Sequence, residues 1–119
     1  MDHEPIDPRE GECVLCFVQR ALSEVGCDST SRWTAHYGEV RVPEATSLRP
    51  RMAAVGGSCD CAIFRRGYRL RRALCERDVH TDELREPAVR PPCAEVRRSS
   101  ARPCGNWARH AAWDREPGW

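Results

Sequence analysis

The chain has no lysine: all 19 of its basic residues are arginine. A GC-rich coding sequence accounts for that most simply, although arginine also suits bidentate phosphate contacts better than lysine would. Aromatic residues are scarce, with two Phe, two Tyr and four Trp among 119 residues. A chain so composed buries a modest core and needs staples. Long hydrophobic runs are missing too. The longest apolar stretch, around Val14 to Val18, is far too short to cross a bilayer. A formal net charge of +1 excludes a global basic field. There is no internal repeat and no low-complexity tract. The opening Met1-Asp2-His3-Glu4-Pro5 is acidic and no signal-type apolar run follows it, so the reading is of a cytoplasmic chain with no membrane partner.

Cysteine is plentiful, with eight residues. An even count raises a disulfide framework. Under reducing conditions, clustered cysteines more often hold metal or do redox chemistry, and zinc is the metal that thiolates favour. The length fits one domain over 1–119. It divides into a loose lead-in at 1–12, a core at 13–75, a linker or arm at 76–92 and a cysteine-bearing C-terminal segment at 93–119.

The expected fold is α+β: a small Cys-rich domain with two or three helices and a short strand pair or hairpin. Val14, Phe17, Val18, Ala21, Leu22 and Val25 recur at three- and four-residue steps and predict a helix from Cys13, ended at Gly26. A short helix through Trp33 and Ala35 to Tyr37 is predicted to stop at Gly38, with Val40 to Pro43 as an extended connector. A further helix runs from Glu44 to Val55, or starts near Leu48 because Pro50 interrupts the span. Alternation from Cys59 to Phe64 reads as a strand. Ala73 to Arg85 reads as a charged helix or loop.

Cys13 and Cys16 form a C-x2-C pair, whose spacing lets two thiolates converge on one ion. Cys59 and Cys61 form a C-x-C pair, and in a strand both sulfurs face one side. Cys27, Cys75, Cys93 and Cys104 stand apart. Two arrangements satisfy a tetrahedral ion. One site can hold Cys13, Cys16, Cys59 and Cys61. Alternatively, Cys13, Cys16, Cys93 and Cys104 make one site, while Cys27, Cys59 and Cys61 make another with Asp28, His36 or water as the fourth ligand. Spacing alone leaves both open.

Several boxes resemble an uncharacterised bacterial family, domain of unknown function 2695. They are Gly26-Cys27-Asp28-Ser29-Thr30-Ser31-Arg32 and Gly56-Gly57-Ser58-Cys59-Asp60-Cys61, with Ile63-Phe64 following. Longer members look similar around Cys13 and Cys16, and from Cys93 through Pro103-Cys104-Gly105-Asn106-Trp107. The resemblance implies the two-site grouping. It implies no activity. Ser31 stands where the pattern has Leu, and Ala62 where it has Glu, so a proton-carrying carboxylate is lacking there.

The functional expectation is a zinc-stabilised binding or accessory module of unknown process. One alternative is a nucleic-acid-binding module, with Arg65, Arg66, Arg69, Arg71 and Arg72 on phosphates and Tyr68 stacked on a base. Nearby acids at Glu76, Asp78, Asp82, Glu83 and Glu86 favour a merely solvated stripe. The other alternative is a metal-dependent or thiol-redox enzyme. A Cys13–Cys16 dithiol lacks the βαβ surroundings of thioredoxin-like motifs, so no catalytic residue is assigned. Asp28, Thr30 and Asp60 read first as caps or outward side chains. Trp107 is expected to pack beside Cys104.

Overall fold

A computed structural model describes residues 6–26, 29–44, 48–56, 59–87, 89–97, 100 and 102–110. Helix α1, Val14–Val25, carries the centre of the core. Its Val14, Leu15, Phe17, Val18 and Ala21 are fully enclosed. Gly26 ends it at φ 77°, a backbone angle that favours glycine, and its N–H returns to the Leu22 carbonyl. The predicted apolar face holds except at its end, where Val25 is exposed.

Helix α2, Arg32–Arg41, packs on α1 through Trp33, Thr34 and Tyr37. Phe17 meets Trp33 edge-on at 6.0 Å between ring centroids, and Tyr37 at 5.9 Å. The Tyr37 hydroxyl donates to the Glu12 carbonyl at 2.9 Å, so the buried ring keeps a polar partner. Gly38 does not end this helix, and residues 40–41 are helical rather than extended. A Cβ at Gly38 would make an ordinary contact, 3.4 Å, with Leu48 Cδ2.

Helix α3 is described over Leu48–Gly56, and Glu44, the earlier of the two expected starts, is in a turn. Leu48 and Met52 are buried.

The strand expected over Cys59 to Phe64 is not formed. Asp60–Ala62 make a helical turn, α4, which runs into a π-helical turn at Ile63–Gly67. Asp60, Ala62, Ile63 and Gly67 are buried, which keeps no alternate-residue pattern. This turn packs against α3. The alternation of residue types in the sequence was therefore accidental.

The strands lie further along. β1, Tyr68–Leu70, pairs antiparallel with β4, Trp107–Arg109, and Leu70 faces Trp107 in register. β2, Glu76–Arg77, and β3, Leu84–Arg85, make a separate antiparallel hairpin in place of the expected charged helix or loop. Asp78 closes its turn by accepting from the His80 and Thr81 amides at 2.8 and 3.2 Å, which holds its carboxyl below the usual range. The result is an α+β fold with the C-terminal arm folded back on the helices.

Candidate metal centre

Four sulfur atoms from opposite ends of the chain meet beside α1. The Sγ atoms of Cys13, Cys16, Cys93 and Cys104 all lie within 4.8 Å of one another. Cys16 and Cys104 are 3.7 Å apart. Tetrahedral thiolates around zinc sit about 3.8 Å apart, given a metal–sulfur bond of about 2.3 Å. None of the four is in a disulfide. Such mutual spacing is that of a cluster, since disulfides would draw the sulfurs into pairs about 2.05 Å apart.

Local backbone explains each position. Cys13 is the N-cap of α1, in extended conformation, and its Sγ accepts from the Cys16 N–H at 3.3 Å. Cys16 is the third helical residue, so one turn presents both sulfurs on one side. The positive end of the helix dipole also favours negative charge there. Cys93 accepts from the Cys13 N–H and from the Glu95 N–H, both at 3.3 Å. Glu95 has φ 69°, a left-handed bend that turns its amide onto the sulfur. The Val96 N–H to Gly11 carbonyl bond, 2.8 Å, pins this loop to the start of the core. Cys104 accepts from the backbone amides of Asn106 and Ala94. The Trp107 indole N–H donates to Cys16 Sγ at 3.3 Å. Asn106 Nδ2 donates to the Pro92 carbonyl at 2.8 Å, tying the two cysteine loops together.

The donor set fits a thiolate-bound cation. Cys13, Cys16 and Cys104 are buried and Cys93 is half-buried, and N–H donors from five residues (Cys13, Cys16, Ala94, Glu95 and Asn106) together with one indole point at the sulfurs. Without a cation the charge is shared by protons. Thiol donation from Cys13 and Cys16 pulls Cys104 down to about 2, and the same contact with Cys104 pushes Cys13 up to about 12. Cys16 is pushed up as well, first by its contact with Cys104. Four thiolates packed this closely need a positive ion to ionise together.

A neutral ion pair flanks the cluster. Arg20 grips the Glu12 carboxylate through Nε at 3.0 Å and Nη2 at 2.8 Å, and both are largely buried. A cleft of about 370 Å³ opens beside it, with Cys16 and Cys93 in its wall among Arg9, Glu12, Arg20 and Arg90.

Of the second expected group, Cys59 and Cys61 stand together. Cys27 and Asp28 lie outside the described residues. Cys59 Sγ and Cys61 Sγ are 3.2 Å apart, brought together by a helical turn and not by a strand. His36 Nε2 is 2.7 Å from Asp7 Oδ1, a hydrogen bond at the surface. The alternative of one site shared by Cys13, Cys16, Cys59 and Cys61 is set aside, because the pair completing the cluster around Cys13 and Cys16 is Cys93 and Cys104.

Asp60 is not an outward side chain. It is 1% exposed, and its carboxylate accepts from Trp33 N at 2.9 Å, Thr34 N at 3.2 Å and Thr34 Oγ1 at 2.7 Å. It thus caps α2 from across the fold. The only sequence hint was an acid beside two cysteines, with nothing to indicate which helix it served.

The arginine stretch does not form one continuous stripe. Arg65, Arg66 and Arg71 are exposed, Gly67 and Leu70 are buried between them, and the Arg109 guanidinium covers the Tyr68 ring at 5.6 Å. Arg65 Nη2 donates to Cys61 Sγ at 3.6 Å. Trp107 packs at the cluster, as expected, with Phe64 against its other side at 5.3 Å between centroids.

No curated protein and no solved structure matches the chain. A family match covers α1 through the start of the π-helical turn. It takes in Cys16 and leaves Cys13, Cys93 and Cys104 outside, so the cluster is completed by segments that flank the matched region. Over residues 14–65, the chain matches the model of the family described as protein of unknown function (DUF2695).

Proposed function

We propose that this protein is a small metal-stabilised binding or accessory module, in which Cys13, Cys16, Cys93 and Cys104 hold one zinc ion as a structural centre in a reducing, cytoplasmic setting. The observation that carries this reading is the convergence of four sulfurs within 4.8 Å of one another. Four protein sulfurs complete a tetrahedron and leave no position for substrate, which supports a structural role over a catalytic one. The ion would tie the first turn of α1 to an arm that β1–β4 pairing alone holds weakly, since β4 has three residues. Binding energy on the order of 10 kcal/mol is available from such a site, enough to offset a thin core.

The test is elemental analysis of the full chain expressed without added metal, together with Cys93→Ser and a strong chelator. Zinc at one ion per chain, lost in the variant and on chelation with loss of the ordered C-terminal arm, is the expected result. A folded protein that carries no metal and is indifferent to the chelator would reject the proposal.

A further inference from the structure

We propose that Cys59 and Cys61 are a redox-active dithiol that exchanges with low-molecular-weight disulfides of the glutathione class, a function separate from the metal centre. Their Sγ atoms are 3.2 Å apart and both residues are partly open to solvent, unlike Cys13, Cys16 and Cys104. Closing to a bond requires a movement of about 1 Å, within reach of a side-chain rotation. The backbone between the two sulfurs is held firmly. Asp60 is buried, its carboxylate is fixed by three donors, and its N–H donates to the Thr30 carbonyl at 2.9 Å. Cys59 is extended and Cys61 helical, and this change of conformation across Asp60 brings both sulfurs to one side. Arg65, one turn after Cys61, points its guanidinium at Cys61 Sγ. That contact sets a positive group beside Cys61 and makes it the sulfur that attacks.

The exchange balances without a group missing from the page. The Cys61 thiolate attacks one sulfur of R–S–S–R, and R–S⁻ leaves with the bonding electron pair. Cys59 then gives its proton to solvent and attacks Cys61 Sγ, expelling the second R–S⁻. The protein loses two electrons and two protons, and the small disulfide becomes two thiols. The ring so formed encloses Asp60, the cap of α2, which links the oxidation state to the support of that helix.

The experiment treats the full metal-loaded chain with oxidised glutathione and maps the products by mass spectrometry. The expected product is a Cys59–Cys61 disulfide, formed while Cys13, Cys16, Cys93 and Cys104 stay reduced. Cys59→Ser should stop at a glutathione adduct on Cys61. Arg65→Gln, an exposed change that leaves the core intact, should slow the first step by about tenfold. Unreacted Cys59 and Cys61 would overturn the proposal, and a count of two metal ions per chain with both thiols protected would assign them to a second metal site instead. Persistent adducts without ring closure in the unaltered protein would overturn it as well. If Cys59→Ser does not fold, the unaltered chain and Arg65→Gln still decide. Failure of the zinc reading would show in the metal count and leave the Cys59–Cys61 map readable.

Discussion

The indole N–H of Trp107 donates to the sulfur of Cys16 at 3.3 Å, across 91 residues of sequence. This bond joins the last strand to the first helix and places a donor on a sulfur of the cluster. Donors of this kind orient metal ligands and stabilise their charge. Trp107→Phe keeps most of the ring's bulk and removes the donor. It should weaken metal binding by about 10–100-fold, with stoichiometry kept. Competition against a chromophoric chelator reads this directly, and an unchanged affinity would show that the bond is incidental.

Asp60 provides a second, independent test. Asp60→Ala leaves the Trp33 and Thr34 amides and the Thr34 hydroxyl without their acceptor inside the fold. The expected loss is about 2–3 kcal/mol, combining a lost cap with unsatisfied buried donors. Asp60→Asn retains one carboxamide oxygen and should recover part of it. Denaturant titration of metal-loaded protein gives both values. Equal stability of the alanine variant would mean that α2 finds another cap.

Alkali should act through Tyr37. Burial pushes its hydroxyl from 10.0 up to about 12, because the phenolate would lose its water. The folded state therefore holds the proton after the unfolded chain has released it. The stability contributed by this group is complete below pH 10 and is lost as pH rises toward about 12. Tyr37→Phe should flatten that part of the pH–stability profile, at a cost of about 1 kcal/mol near neutrality for the bond to the Glu12 carbonyl. Phenolate absorbance against pH, set beside the unfolding curve, checks the order of events.

The legible parts of the fold were those with local causes. Apolar spacing marked α1 and Gly26 its end. The C-x2-C pair also belongs here, because one helical turn is enough to set Cys13 beside Cys16. Where two local signals conflicted with packing, packing prevailed. Gly38 looked like a stop, and the helix runs on through it to Arg41. Cys59 to Phe64 looked like a strand and is helical from Asp60 on, where Asp60 reaches the first turn of α2 and Ile63 is buried.

The amino-acid sequence by itself determined the candidate staple: a chain poor in aromatics and rich in cysteine, with two close pairs whose spacing can share an ion. It also determined the helix that carries the first of these pairs, since periodicity and capping act over a few residues. Only the tertiary structure decided which distant cysteines complete the cluster, where the strands pair, and what Asp60 holds. Those outcomes depend on contacts between residues tens of positions apart, such as Leu70 with Trp107 and Asp60 with Thr34. Such contacts form only when the whole chain closes around a shared core, and no local pattern of residues encodes the closure.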